Sequence, residues 1–555
     1  MSQTIASLLL ARRDDDHLAV VDRNRQLTWA EHVAASARCA NWLLATRSVG
    51  STAPFHVGLL MGNAVAHSVW LGGTALAGAV AVGLNATRSV AELVRDARHA
   101  DVERIIAGPA HAELAEALAS EGFTVHRIDA PDFSESVHAM ASTPPDVVVE
   151  PDDLFMLIFT SGTTSAPKAV RCSHGRICGS GAMLPLMLEL TAADTAYVSM
   201  PLFHSNAIIA GWTPMLAVGG TIALPGRFSA SGFLDDVRTF GATYANYVGK
   251  ALAHILATPA RSDDGDNPLR VVFGNEASDR DIARFSHRFD CRVVDGYGST
   301  EGGIACLRTP ETPRGSLGIG MGDIHVLDPE TGRDCAVAQI DAAGRLRNAT
   351  AAIGELVRVD SDGGFEGYWR NEEADRERVR GGHFHSGDLA YRDAAGFLYF
   401  AGRISEWLRV DGENLAAAPI ERVLADHHDV ITAAVVAVPD MDAGDQLLAA
   451  LQVADPQAFD VRAFDAWLQV RGDLSAKARP RFVRLATSLP QTATNKVDRR
   501  ALGVQGWNTS DLIWWRPGRD DAWRALDNAD RTDLDKRVAD RLGRDVEDHD
   551  GGSPA

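Results

Sequence analysis

The chain has 555 residues, more than a single hydrophobic core organises, so two or three domains are expected. Its composition, 46% hydrophobic and 23% charged, is that of a folded globular protein rather than a disordered or fibrous one. The formal net charge of −20 argues against a nucleic-acid surface, although local clusters of backbone N–H groups still admit an anionic ligand.

The first twenty residues lack a basic segment followed by a long apolar run, so no secretory signal is read. Residues 57–84 are rich in Gly, Ala, Val and Leu, but Asn63, His67 and several glycines interrupt them. They read as buried α/β core and not as a membrane span. From about residue 150 short apolar runs alternate with amphipathic segments. "LFMLIF" (154–159) and "TAYVSM" (195–200) read as strands, "NAIIAGWTPMLAVGG" as a helix, and "TYANYV", "RVVFGN" and "CRVVDGYG" as further strands. Ser278 is placed to cap a helix over 279–289. This rhythm predicts largely parallel sheets covered by helices, with ligands at the C-terminal strand ends. Residues 315–404 read as a β-rich subdomain. About 100 residues of α+β character follow. The last 50 carry "WNTSDLIWWRP", a charged helical segment and the polar end "EDHDGGSPA", expected to be disordered. The six cysteines form no CxxC pair, which signals neither zinc nor a disulfide framework and fits a reducing cytoplasm.

Four stretches have the composition of chemical sites. "FTSGTTSAPK" (159–168) follows a strand and combines hydroxyls, a glycine turn and Lys168, a set suited to phosphate oxygens. It is not a Walker A loop, because Pro167 precedes the lysine and Ala169 follows it. The plain alternative is a polar surface turn, and the phosphate reading is preferred over it. "DGYGSTEGG" (295–303) offers glycines for close approach, Tyr297 as a flat face for a purine, and Thr300 and Glu301 as oxygen ligands of the kind Mg²⁺ takes. The plain alternative is a glycine-rich turn with a solvated Glu. In "HSGDLAYRDAAGFLYFAGR" (385–403), Asp388 suits a ribose diol and Arg403 suits ribose or phosphate oxygens, while "RDAAG" reads as a hairpin turn. His383 and His385 lack a third metal ligand and read as satisfied polar residues. "PQTATNKVDRRAL" (490–502) contains Lys496, by itself an ordinary surface charge.

In this order and spacing the four stretches resemble the adenylate-forming superfamily that includes acyl-CoA synthetases, over roughly residues 20–503. "YANYVGKALAHILATP", "GNEAS" and "VDGENLAAAPIE" resemble the very-long-chain acyl-CoA synthetase and fatty-acid transport protein branch. The resemblance implies a large α/β N-terminal domain (1–404) of two parallel-rich sheets layered with helices plus the β-rich subdomain. It further implies a small mobile α+β domain (405–504) and a C-terminal extension (505–555). It implies ATP, Mg²⁺ and CoA as partners of a hydrophobic carboxylic acid, in a cytoplasmic enzyme for which peripheral membrane contact and a homodimer are both compatible.

By position, Thr160, Ser161, Gly162, Thr163, Thr164 and Lys168 would cradle the β- and γ-phosphates. Thr300 would contact the α-phosphate and Glu301 would hold Mg²⁺. Tyr297 would stack on adenine, with Asn275 and Glu276 lining the same pocket, and Asp295 would belong to the cofactor site. Asp388 and Arg403 would hold ribose, Ser405 would sit at the hinge, and Lys496 would bridge carboxylate and α-phosphate. Arg409 would serve the thioester step, Gly412 would admit pantetheine, and Phe203 or His204 would gate the acid. Ser165 and Ala169 replace glycines of the phosphate loop, and Asn495 replaces the glycine before the lysine, where Asn tolerates a left-handed backbone. Asp411 stands where some relatives are basic. Two other outcomes stay open: transfer of the acyl group to a carrier protein, and an idle nucleotide-binding protein. The retained Lys168, Glu301, Asp388, Arg403 and Lys496 argue against the latter.

Overall fold

The computed structural model of the chain describes residues 3–47, 55–160, 168–309, 311–341, 346–361, 363–404, 407–410, 413–439, 445–471, 474, 478–492, 496–518 and 521–550. They fall into two compact units. One comprises Met1–Ala305 and Asp360–Phe384, the other Cys306–Val359 and His385–Ala555.

The first unit contains two sheets. In one, the strands run in the order Arg292–Asp295, Val271–Asn275, Tyr244–Val248, Thr195–Tyr197, Thr221–Leu224, Leu18–Asp22 and Gln26–Thr28, parallel except for the last pair. In the other, Thr124–Arg127, Arg104–Ala107, His56–Leu60, Val80–Gly83 and Leu154–Thr160 are parallel, and Lys168–Ser173 closes the edge antiparallel. Strands such as His56–Leu60 and Val80–Gly83 are buried along their whole length, as expected of parallel strands covered on both faces. Helix Val65–Leu76 is buried all round except at Ala66 and touches strands of both sheets. Two glycines allow helix Trp29–Ala45 to close on it. A Cβ at Gly72 would lie 2.4 Å from Ser36 Oγ, and one at Gly73 2.6 Å from Cys39 Cβ. The stretch 57–84 is therefore core, as expected. Among the described residues no helix is long and apolar enough to cross a membrane.

The expected rhythm holds with one refinement. The segment read as a single helix consists of Ser205–Ala207, a π-helical turn Ile208–Trp212, and Thr213–Val218. The Tyr244 hydroxyl donates to the Ala210 carbonyl at 2.5 Å, within the π turn. Ser278 caps its helix as expected, accepting from the Asp281 N–H at 3.1 Å.

In the second unit a β-rich part contains the antiparallel strands Ile324–Leu327 and Gly354–Arg358 and the hairpin formed by His383–Arg392 with Leu398–Arg403. The strand His383–Arg392 begins in the first unit. The "RDAAG" turn is the expected one: Asp393 Oδ1 accepts from the N–H groups of Ala395 and Phe397, and Gly396 has φ +89°. The α+β part has a sheet ordered Glu413–Ala416, Trp407–Val410, Asp445–Val453, Phe482–Ala486, Leu512–Trp515 and Arg524–Ala525, with Val430–Pro439 also paired to Asp445–Val453. The tryptophan-rich stretch thus adds a strand, Leu512–Trp515, antiparallel to Phe482–Ala486. Helix Asn528–Asp550 takes in residues 547–550, which the sequence reading placed in a disordered end. Leu534 is buried, and Asp533 and Arg537 pair along the helix. Residues 551–555 lie outside the described residues.

Three buried histidines of the first unit, His32, His67 and His174, are held neutral by burial, with pKa values down at about 4. Once unfolded they take up protons around the ordinary 6.5, well before they do in the folded protein. Their contribution to stability is therefore complete above about pH 6.5 and falls as pH drops towards 4. Urea unfolding of the first unit at pH 7, 5.5 and 4.5 should show a midpoint that falls steeply over this range. Replacing His32 by Gln, whose amide does not titrate, should flatten the fall.

Candidate active site

Three parallel strands of the first unit, Tyr244–Val248, Val271–Asn275 and Arg292–Asp295, end at a common edge. There the Gly249 N–H donates to the Asn275 carbonyl (3.0 Å) and the Gly296 N–H to the Gly274 carbonyl (2.8 Å). This edge brings together Asn275, Glu276 and Tyr297, the residues expected around adenine, with Asp295, expected at the cofactor site. Asp295 is buried, and its Oδ2 accepts from the Tyr247 hydroxyl at 2.6 Å and the Ala277 N–H at 3.0 Å. Its visible role is thus to hold the 275–278 loop. Glu276 is exposed with φ +73°, a left-handed backbone that side chains other than Gly disfavour. Gly274 is required where it stands, since a Cβ there would lie 2.3 Å from the Tyr247 carbonyl oxygen.

The next turn is tied down from several directions. Thr300 shares a 2.8 Å hydroxyl–hydroxyl hydrogen bond with Ser205, and its carbonyl accepts from Arg176 Nη2 at 2.5 Å. Glu301 is 8% exposed. Its Oε1 accepts from the Tyr368 hydroxyl at 2.9 Å and lies 3.9 Å from Arg378 Nη2. Arg378 Nε donates to the same Tyr368 oxygen at 3.1 Å. Burial, and then the Glu301 charge, raise the Tyr368 pKa well above the usual phenol value, so the hydroxyl keeps its proton.

Lys168 begins the strand Lys168–Ser173. Its Nζ lies 2.9 Å from Glu377 Oε2 and 5.5 Å from the centre of the Tyr368 ring. The ammonium beside it holds the exposed Glu377 carboxyl below its ordinary pKa. The structure therefore joins Lys168 and Glu301, 133 positions apart in sequence, through Tyr368. Thr160 ends the preceding strand, its hydroxyl 3.4 Å from the Lys168 carbonyl. Ser161, Gly162, Thr163 and Thr164, with Ser165, lie outside the described residues. Phe203 packs against Gly83, where a Cβ would meet it at 2.7 Å. His204 caps the turn at Ser205, its Nδ1 accepting from the Asn206 N–H at 3.2 Å.

In the second unit Asp388 and Arg403 are cross-strand partners, with Arg403 Nε 3.4 Å from Asp388 Oδ1. A buried carboxylate, Glu355, shapes the turn before them: Oε1 accepts from the Gly387 N–H at 3.0 Å and Oε2 meets His385 Nδ1 at 2.9 Å. His385 is a satisfied polar residue, as expected. The Lys496 carbonyl accepts from the Thr492 N–H at 2.8 Å. Beyond it Asp498 caps helix Arg499–Gln505, and Arg499 grips Glu421 through two hydrogen bonds of 2.9 and 2.7 Å. Arg409 lies on Trp407–Val410, its backbone paired with Asn414. Ser405, Asp411, Gly412 and Asn495 lie outside the described residues.

Sequence reasoning missed Tyr368, Glu377, Arg378 and Glu355. The first three fall in "EGYWRNEEADRERV", whose charges read as a solvated helix face. The one available signal was Tyr368 between Gly367 and Trp369, an aromatic step directly ahead of that helix.

The AMP-binding enzyme family model matches residues 10–369, and the AMP-binding enzyme C-terminal domain model matches residues 419–496. The chain belongs to the AMP-binding enzyme family. It is 44% identical over 512 residues to the medium/long-chain-fatty-acid–CoA ligase FadD17 of Mycobacterium marinum, covering 92% of this chain and 98% of that protein. It is 45% identical over 523 residues to the steroid-22-oyl-CoA synthetase of Rhodococcus jostii, covering 93% of each. The fold is that of ATP-bound MatB from Rhodopseudomonas palustris, with TM-score 0.78 at 23% identity over 91% of this chain and 99% of that one. In this AMP-binding enzyme the buried Glu301 carboxylate and the neighbouring Thr300 hydroxyl are hard oxygen donors of the kind Mg²⁺ takes when phosphates complete its shell. Glu377, Arg378, Asp388 and Arg403 all lie between the two matched segments.

The strained backbone at Glu276 yields a test. Glu276→Gly should relieve up to about 1 kcal/mol of left-handed backbone cost, so the melting temperature should not fall. ATP affinity should drop if the side chain lines the adenine pocket. A lower melting temperature would show that the carboxylate stabilises the fold.

Proposed function

We propose that the protein is an AMP-forming acyl-CoA ligase acting on a hydrophobic carboxylic acid. The observation that carries the reading is the Lys168–Tyr368–Glu301 network beside the strand ends that gather Asn275, Asp295 and Tyr297. A cation and a buried carboxylate held close together in this way suit a nucleotide's phosphates and their metal. The full-length similarity to proteins named as fatty-acid and steroid-22-oyl CoA ligases supports both the CoA acceptor and an apolar acid.

On this reading the acid's carboxylate oxygen attacks the α-phosphorus of ATP, and the bond to the β-phosphate oxygen breaks to release pyrophosphate. Negative charge spreads over the phosphoryl oxygens in the transition state, and fixed cations and N–H donors offset it. Lys168 with Thr160, Ser161, Gly162, Thr163 and Thr164 holds the β- and γ-phosphates, and Thr300 contacts the α-phosphate. Glu301 holds Mg²⁺, which when bound neutralises phosphate charge. Asn275, Glu276 and Tyr297 enclose adenine, with Asp295 setting the loop, and Asp388 and Arg403 hold the ribose. Lys496 sits between the carboxylate and the α-phosphate. The domain 405–504 then turns about Ser405. The CoA sulfur, aided by Arg409 and the space at Gly412, attacks the acyl carbonyl carbon, and AMP leaves. Phe203 and His204 border the acid.

Mass spectrometry of products from ATP, Mg²⁺ and acids from short chains to steroid side-chain acids, with and without CoA, tests the reading. Acyl-CoA with AMP is the expected result. Acyl-AMP that never advances with CoA present would favour a carrier-protein acceptor. Lys496→Ala should slow adenylation about 10²–10³-fold and spare thioester formation from supplied acyl-AMP; an equal loss in both steps would sink its assignment. Asp388→Ala should weaken ATP binding by calorimetry, and unchanged affinity would remove it from the ribose site.

A further inference from the structure

We infer that Tyr368 and Arg378 are positioning residues for the metal-holding carboxylate, a relay running Arg378 to Tyr368 to Glu301 that aims one oxygen of Glu301 at the cation. The inference rests on Glu301 being the magnesium ligand of the proposed function.

The direction of the relay follows from donor chemistry. A guanidinium only donates, so at the 3.1 Å contact the Tyr368 oxygen is the acceptor. The single phenolic proton is then left for Glu301 Oε1, 2.9 Å away. Arg378 thus fixes which way the phenol points, and the phenol fixes the carboxylate. Both groups meet Oε1, and among the described residues none donates to Oε2. A carboxylate held by one oxygen offers the other in a set direction, and groups that orient a metal ligand in this way commonly change metal affinity about 10–100-fold when removed.

The geometry also separates this role from phosphate binding. Arg378 and Glu377 are adjacent on the short helix Glu372–Arg378 but serve different partners. Glu377 meets Lys168, and Arg378 meets Tyr368 and Glu301. Lys168 stands over the Tyr368 ring and not at its hydroxyl. Replacing Tyr368 by Phe therefore removes one oxygen and leaves the ring beneath the lysine. Neither family model covers Glu377 or Arg378.

The test is calorimetric titration of the full chain with ATP, with and without Mg²⁺, reading the gain in ATP affinity that the metal confers. Glu301→Gln should reduce that gain; if it does not, Glu301 is not the magnesium ligand, and the proposed metal role and the relay both fall. With that established, Tyr368→Phe and Arg378→Ala should each reduce the gain about tenfold and leave affinity for metal-free ATP within about twofold. Tyr368→Phe added to Glu301→Gln should change nothing more, because both act on one carboxylate. A Tyr368→Phe protein with an undiminished gain overturns the relay while leaving the metal role of Glu301 standing. So does equal weakening of metal-free ATP, or a loss that adds to Glu301→Gln. If Arg378→Ala does not fold, Arg378→Lys, which keeps a cationic donor but loses the Nε–H, and Tyr368→Phe decide the question.

Discussion

A buried carboxylate is unfavourable unless donors and an opposite charge meet it. In this chain Glu301 imposes that condition on the first unit. Its partners, Tyr368 and Arg378, come from a segment that the chain supplies only after 54 residues of the second unit, Cys306–Val359. The returning segment is fastened along its length. The Arg171 N–H donates to the Gly367 carbonyl and the Trp369 N–H to the Ala169 carbonyl, while Glu366 accepts from both the N–H and the hydroxyl of Ser173. Trp369 Nε1 and Arg370 both reach Asp101. Gly303 has no side chain because the Phe384 ring fills the place where one would stand. The strand carrying Lys168 and the turn carrying Glu301 are thus braced by the same stretch of chain.

This arrangement ties site geometry to fold stability. The strand ends provide fixed backbone and short polar side chains, while the charged groups are held by contacts distant in sequence. Rigid placement matters because the proposed chemistry adds little covalent work for the protein beyond orientation and charge. The carboxylate Glu355 serves the turn at Asp388 in the second unit as Asp295 serves the loop at Glu276 in the first. In each a buried acid accepts from a backbone N–H and holds a turn next to residues assigned to the nucleotide in the proposed function.

Much of the fold was legible in sequence because its signals are local. The alternation of apolar runs with amphipathic segments marks the strands and helices, Ser278 marks a helix start, and Asp393 with Gly396 marks a hairpin. Each depends on residues within a few positions. The interleaving of the two units was not legible, since nothing in Asp360–Phe384 distinguishes a return to an earlier unit from a continuation. Nor was the π turn at Ile208–Trp212, which a tertiary contact from Tyr244 accompanies. At the site, the stretches 159–168 and 295–303 stood out because each runs on from a strand. Tyr368 and Arg378 were not, because their partner lies 67 and 77 positions away and their own surroundings look like a solvated helix. Phe203 and His204 were placed by resemblance, and the structure adds that His204 caps a helix turn, a duty that constrains how it can gate anything.

The tail completes one side of the second unit's sheet. Strand Phe482–Ala486 is buried throughout, and Leu512–Trp515 covers one of its edges. Beyond that the sheet ends in the two-residue strand Arg524–Ala525, with the Arg524 guanidinium 4.7 Å from the Trp515 ring. A very short, charged last strand is a poor template for another chain's strand. Stripped of its last forty-odd residues, the same sheet would present an apolar strand with open hydrogen-bonding groups, the surface on which β-aggregation begins. The tryptophan-rich stretch therefore ends the sheet on this side, among the described residues, in a short strand bearing Arg524.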